Sequence, residues 1–430
     1  MHHLHLARTL ALVPVVAIAC GGQLLAQQPD HDAGVDGMPV DAHEASVEDS
    51  DSTAMDAEDE PDGFDGFVCG TITHTGSAAT AFHIDAAHDG AQPSDHIALP
   101  LCKRWSATFT ASPSYPVVAG GRVFVTVPTG KQDGTNLYAL DETTGVVDWG
   151  PILVGATYWW ASLTYEAGNV FALNGDCTLT SFDAVTGTSN WSHTFTSGCD
   201  SPPTAWSGKV YFSTNGYLYA VNASDGTEAW HASILGAGTS SPAVDSTGAY
   251  ASYGCNQAYA FDPGSGSLLW HDAGSCFGGG GQTTALHAGV LFVRDFLGHL
   301  MLSASTGASL GVYSAGQDGI AIPTFAGNIG FLVHPNPNYH LLQAFQISPF
   351  TNLWSFGGDG YIVTAPVVVG SQVVVGSSQG KLFVVDAATG TLTASDDVGV
   401  PLEAYPSLPT GLAMADGMLF VPVQNGLVAY

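Results

Sequence analysis

Basic residues are scarce in this sequence. Eight Lys and Arg stand against 38 Asp and Glu, a net charge of −30. So acidic a surface repels phosphate, which argues against nucleic acid and anionic lipid surfaces as partners. No apolar run is long enough to cross a bilayer as a helix. Beyond the first twenty residues, no stretch combines a helical apolar period with capping residues, which argues against helical and α/β domains. Charged residues of both signs make up only 11%. What the chain does have is 53 glycines and short β-branched or aromatic runs between turn residues. Together these point to an all-β protein.

The runs repeat. LYALDETTGVVDW, residues 137–149, reads as a strand, a tight turn and the start of a second strand. Asp141 can accept backbone hydrogen bonds within the turn, and Gly145 supplies the positive φ that closes it. Trp149 opens the next strand with a large apolar surface. The same offsets recur at Asp183, Gly187 and Trp191, at Asn222, Gly226 and Trp230, and at Asp262, Gly266 and Trp270. Weaker copies follow. Ser303 and Gly307 lack the Trp, Gln346 and Trp354 have Phe350 in place of the Gly, and Asp386 and Gly390 are followed by Ala394. From Asp141 to Asp386 the step is about 41 residues, the length of a four-stranded propeller blade.

A second signal keeps the same period. A hairpin with Gly at its bend precedes each unit, at Gly121, Gly168, Gly208, Gly248, Gly289, Gly327, Gly370 and Gly417. There are eight hairpins but only seven complete turn units. The strand that ends at Tyr430 lacks an outer neighbour, and the strand at Trp105 has no turn unit before it. The predicted fold is an eight-bladed β-propeller of four-stranded antiparallel blades over 103–430. The N-terminal Trp105 strand closes the ring on the C-terminal blade, leaving only short, protected sheet edges. Trp105, Trp149, Trp191, Trp230, Trp270 and Trp354 all fall on the repeat position, so their expected role is packing. Burying each contributes at most about 4–6 kcal/mol by area.

Ala139, Asp141, Thr144, Gly145 and Trp149 spell A-x-D-x-x-T-G-x-x-x-W. This resembles the docking motif of the propeller repeat in pyrroloquinoline-quinone (PQQ) dehydrogenases. The resemblance covers about 103–430 and implies the fold. It does not imply the cofactor, because the same repeat occurs in non-enzymatic envelope proteins.

Four regions follow. Residues 1–20 read as a targeting signal with a short apolar stretch, Thr9 to Ile18, behind Arg8. Its end, Ala17-Ile18-Ala19-Cys20-Gly21, resembles a bacterial lipobox, which implies lipidation of Cys20 and delivery to the outer membrane or cell surface. Without lipidation the chain would be secreted. Residues 21–67 form an acidic linker, with 14 acids and no Lys or Arg between 28 and 66. That composition does not fold. DHDAGVDG within it lacks the spacing and closing Glu of a calcium loop, so a solvated tether is expected. Residues 68–102 are a lead-in segment. His83, Asp85, His88 and Asp89 there could hold a metal. The favoured reading is a segment packed on the propeller, since a D-x-x-H-x-G-like opening precedes quinoprotein-type propellers.

Six cysteines remain after Cys20, an even number in an exported chain. In the repeat, Cys177 sits in a second-to-third-strand turn and Cys199 in the following blade-to-blade loop, on one face of the ring. Cys255 and Cys276 occupy nearly the same places two blades later. The expected pairs are Cys177–Cys199, Cys255–Cys276 and, from the remainder, Cys69–Cys102.

Quinoprotein-type propellers place ligands on that same face, so the resemblance points there. It carries Tyr158, Trp159 and Trp160, together with Asp200, Asn256 and the run Gly278 to Gly281. Trp159 and Trp160 are off the repeat position and can stack on a sugar or an apolar partner side chain. Alternatively, they fill the top of the central channel. Enzyme chemistry finds little support. PQQ dehydrogenases of this fold usually carry adjacent cysteines, and none are adjacent here. His193, His231 and His271 follow the repeat Trp by one or two residues, a strand-surface position. The expected function is therefore a non-enzymatic exported lipoprotein, a monomer, whose propeller binds a protein or glycan at the cell envelope. No catalytic residue, metal or cofactor is assigned. The alternative is a PQQ- and calcium-dependent dehydrogenase.

Overall fold

The computed structural model describes residues 69–129, 134–155, 161–195, 198–199, 201–235, 240–254, 257–274, 282–295, 298–314, 322–336, 339–402 and 411–430. Among the described residues there are strands and turns but no helix. Eight antiparallel sheets follow one another along the chain. Blade 1 is Val117–Ala119, Arg122–Pro128, Thr135–Asp141 and Val147–Leu153, counted from the inner strand outward. Blades 2 to 7 repeat this order. Blade 8 takes Ala413–Ala415, Met418–Val423 and Gly426–Ala429 from the C-terminal end. Its outer strand, Trp105–Thr108, comes from the other end of the chain and pairs antiparallel, Trp105 opposite Ala429 and Thr108 opposite Gly426. The inner strand of blade 8 then lies beside that of blade 1, and the ring is closed.

Residue choice explains the layering. The inner strands are short and the second and third strands are rich in Val, Phe and Leu, nearly all buried. Each sheet is sandwiched between its neighbours, so both of its faces are covered and strict polar–apolar alternation is lost. The outer strands meet water and are largely exposed, as in Val147–Leu153 and Ser189–Thr194. Several inner hairpins are two-residue turns with positive φ at both central positions, as at Ala167-Gly168, Ser207-Gly208, Ala288-Gly289 and Asp416-Gly417. This is the turn whose twist matches paired strands.

The repeated turn is a carboxylate cap. Asp141 Oδ1 accepts the Thr144 N–H and hydroxyl, both at 2.8 Å, and the Thr143 N–H at 3.1 Å. Asp183, Asp262 and Asp386 do the same with Thr186, Ser265 and Thr389. These hydrogen bonds, the side-chain hydroxyl first, hold all four carboxyls below the usual range.

Each repeat Trp docks on the next blade's turn. The indole N–H of Trp149 donates to the Ala184 carbonyl, that of Trp191 to Ala223, that of Trp270 to Ala304 and that of Trp354 to Ala387. The ring lies over the turn glycine: a Cβ on Gly187 would stand 2.8 Å from Trp149 Cδ2, and one on Gly390 2.6 Å from Trp354 Cδ2. The weak repeats fit this rule. In register, Gly311 of blade 5 replaces a Trp, and the turn it would dock on carries Phe350 instead of Gly. Indole and glycine are lost together at one interface. Ala394 of blade 7 faces blade 8, where the last residue, Tyr430, and the start of the Trp105 strand stand in place of a turn. There the Tyr430 hydroxyl donates to Asp396 at 2.6 Å.

Candidate functional site: a plugged channel

The inner strands line a central channel, and the lead-in closes its hairpin-side mouth. Residues 79–92 bond to blades 1, 2 and 4 to 8 in chain order. The Ala79 carbonyl takes the Val118 N–H of blade 1, Thr80 that of Tyr165 in blade 2, and Ala86 that of Val244 in blade 4. Ala87 takes Leu286 of blade 5, Asp89 takes Phe325 of blade 6, and Gly90 takes Val368 of blade 7. Gln92 Nε2 reaches the Met414 carbonyl of blade 8 at 3.0 Å. Ala91–Gln92 also forms a parallel fifth strand inside blade 7. In every case the bonding residue sits at the same step of its inner strand; in blade 3 the residue at that step, Ala205, gives its N–H to the Thr164 hydroxyl instead. The groups that bond the segment would otherwise be buried without partners.

Two imidazoles extend the plug deeper. His83 and His88 are buried. His83 Nδ1 faces the His88 carbonyl at 2.8 Å and Nε2 the Pro366 carbonyl of blade 7 at 3.1 Å. His88 Nδ1 faces the Phe82 carbonyl at 2.7 Å and Nε2 the Pro242 carbonyl of blade 4 at 3.0 Å. The Thr204 hydroxyl of blade 3 lies 3.2 Å from His88 Nε2. Burial pushes both pKa values down, His88 to about 4. Asp85 accepts the Ala87 N–H at 3.0 Å. Burial and the neighbouring Asp89 carboxylate raise Asp85 to about 7. Asp89 lies 3.4 Å from His287 of blade 5. Burial would push His287 down, but the bonds to Asp89 and to the Gly327 carbonyl outweigh it and its pKa is raised.

The segment is clipped from outside. Cys69–Cys102 closes it as a loop. Thr75 and Ser77 donate to Asp95, and the Gly76 N–H donates to Asp416 Oδ1 at 2.6 Å, tying the entering strand to the blade 8 hairpin. His83 and His88 are packed among the inner strands, and Asp85 and Asp89 lie beside them. The ring nitrogens of His83 and His88 face backbone carbonyls. Among the described residues no three His, Cys, Asp or Glu side chains are placed to hold a metal ion.

Cys177–Cys199 is formed, joining a turn of blade 2 to the segment that enters blade 3. Cys255, Cys276, Cys20, Tyr158, Trp159, Trp160, Asp200, Asn256 and the glycines 278–281 lie outside the described residues, as do residues 1–68. His193 lies tilted beside Trp191 and bonds the Asp225 carbonyl, His231 pairs with Glu228, and His271 lies flat on Tyr259 at 4.0 Å. All three are on outer strands.

Two features escaped the sequence reading. Ser114, Ser201, Ser240 and Thr364 each accept the N–H of the residue twelve places on, fastening the start of the inner strand to the second strand. Their signal was a Ser or Thr just ahead of Pro116, Pro202, Pro242 and Pro366 in four of the repeats. A G-x-S-x-G string also occurs, Gly376 to Gly380. It lies in a strand-to-strand turn of blade 7 where Ser377 donates to Asp359. A nucleophile elbow needs a strand-to-helix turn, so Ser378 is not one.

The sequence matches a family model described as outer membrane protein assembly factor BamB over residues 155–276 and 256–429, well over half of the chain. The chain belongs to this family. No curated protein matches it. Its fold is similar to quinohemoprotein alcohol dehydrogenase from Comamonas testosteroni, with TM-score 0.64 and 15% identity over 82% of this chain and 80% of that one. It is similar to BamB from Moraxella catarrhalis, with TM-score 0.58 and 15% identity over 76% and 96%. It is also similar to the computationally designed Ika8 protein, with TM-score 0.61 and 16% identity over 76% and 99%. At these identities the likeness is one of fold. The BamB-family ring here is a PQQ-like propeller with one channel mouth filled by its own chain.

Proposed function

We propose that this chain is a non-enzymatic exported propeller that binds a protein or glycan at the cell envelope, on the face opposite the plug. The observation that carries this is the plug. With residues 79–92 bonded around the hairpin-side mouth, a ligand has the loop side left to it. Tyr158, Trp159 and Trp160 belong by sequence to the loop between blades 1 and 2, on that side. The family's description as an outer-membrane assembly factor supports an envelope role with a protein partner. The lipobox-like Cys20 supports a lipid anchor.

Pull-down from envelope extracts tests it. Trp159→Ala with Trp160→Ala should reduce partner recovery at least about tenfold with an unchanged melting temperature. Equal recovery would sink the reading. The dehydrogenase alternative is tested by titrating the protein with PQQ and calcium. Tight binding together with dye reduction by an alcohol or sugar would replace the scaffold reading with an enzyme.

A further inference from the structure

The plug combines features that a merely structural filler does not need. His83, Ile84 and His88 all have positive φ, at 56°, 83° and 56°. Such φ values are rare for non-glycine residues and least tolerated by a β-branched one such as Ile84. Strain of this kind persists only while surrounding contacts enforce it. The contacts here are backbone hydrogen bonds to six blades, the Gln92 side-chain bond to a seventh and the four imidazole–carbonyl approaches.

A neutral imidazole has one N–H, so each ring can donate to one of its two carbonyls. A second proton would satisfy the other carbonyl but would place a charge in a sealed site. The charges facing that site decide the balance. On the plug itself are Asp85 and Asp89. From blade 5 come His287, paired with Asp89, and the guanidinium of Arg294, which is buried with its Nε on the Thr283 carbonyl. From blade 1 comes the Tyr115 hydroxyl, neutral and donated to the Leu163 carbonyl. Blades 3, 4 and 7 offer the Thr204 hydroxyl and the carbonyls of Pro242 and Pro366. Burial and Asp89 hold the Asp85 carboxyl above the usual carboxylate range, so falling pH removes its charge. The mouth is left with one carboxylate, Asp89, against His287 and Arg294. Further protons on His83 or His88 meet uncompensated positive charge.

We propose that residues 79–92 are an acid-released plug. Protonation of His83 and His88 expels the strained segment from the mouth, while the Cys69–Cys102 clip keeps it tethered and the eight blades stay folded. Release uncovers the inner-strand N–H groups of Val118, Tyr165, Val244, Leu286, Phe325 and Val368. Burial lowering both imidazoles agrees in direction, since a group that resists protonation in the folded state loses stability as pH falls below its unfolded value near 6.5.

The test is hydrogen exchange by mass spectrometry on the full chain at pH 7.5 and pH 5, expressed as protection factors to remove the intrinsic pH effect. The expected result is a loss of about tenfold or more in protection over 79–92, with strands 372–376 and 381–386 of blade 7 unchanged. Equal protection at both pH values overturns the proposal, as does simultaneous loss in the plug and the blades. Exchange at imidazole C2 in the same wild-type protein gives the protonation midpoints of His83 and His88. They should coincide with release, and rings still neutral at release would refute the trigger. His83→Gln with His88→Gln removes titration while keeping a donor and an acceptor at each site. This variant should hold the plug at pH 5, and release there would also refute it.

Discussion

The indole N–H of Trp105 donates to the carbonyl of Glu142 at 2.9 Å, although the two residues belong to blades at opposite ends of the numbering. Trp105 is on the outer strand of blade 8 and Glu142 on the turn of blade 1. The closing strand therefore does two jobs: its backbone completes blade 8, and its side chain docks blade 8 on blade 1. Removing that side chain should damage both. Trp105→Ala is expected to cost about 3–5 kcal/mol, the usual range for deleting a buried aromatic. Melting temperature at constant pH measures it. A half-buried repeat Trp such as Trp354 should cost less, and equal losses would show that closure adds nothing at Trp105.

The docking turns give a paired comparison. Gly187 and Gly168 both have positive φ, 70° and 85°, but a Cβ on Gly187 would press on Trp149 whereas one on Gly168 meets nothing within 4 Å. Gly168→Ala should cost about 1 kcal/mol, the left-handed penalty alone. Gly187→Ala should cost about 2–4 kcal/mol, because the indole must also move. Urea midpoints of the two variants decide it, and equal costs would remove the docking role from the glycine.

The clip at Cys69–Cys102 spans 33 residues. Cys69→Ser should lower stability by about 3–4 kcal/mol in the chain-entropy model. It should also make residues 69–78 more open to protease than the same segment in the oxidised protein. An unchanged cleavage pattern would mean that Asp95 and Asp416 hold the strap by themselves.

Asp85 carries the clearest alkaline liability. Its carboxyl is raised to about 7 by burial and by Asp89, against about 3.9 in an unfolded chain. The folded state therefore favours the protonated form. The stability that this gives is complete below pH 3.9 and is lost as pH rises through about 7. Asp85→Asn keeps the oxygen that accepts the Ala87 N–H and removes the charge. It should raise the melting temperature by a few degrees at pH 8 and show no gain at pH 4. A gain at pH 4 equal to that at pH 8 would mean that charge is not the cause.

Much of the ring was legible because its signals are local. A turn needs Asp and Gly at fixed offsets, and a docking surface needs one indole per period. Recurrence then fixed the blade length, and the unmatched Trp105 strand fixed the closure. The plug was less legible. His83 and His88 appeared beside two aspartates, a pattern that suits a metal as well as a lead-in. Which reading holds depends on the carbonyls of Pro242 and Pro366, far away in sequence. The hydroxyls ahead of the inner-strand prolines were visible as a repeat, but their partners twelve residues on were not.

The sequence by itself determined the all-β class, the period, the number of blades and the strand that closes them. Each follows from hydrogen bonding and packing demands that repeat within one blade or between neighbouring blades. Only the tertiary structure decided what fills the hairpin-side mouth of the channel. Residues 79–92 have no period of their own. Their partners are backbone groups from seven separate blades, brought together only once the ring has closed.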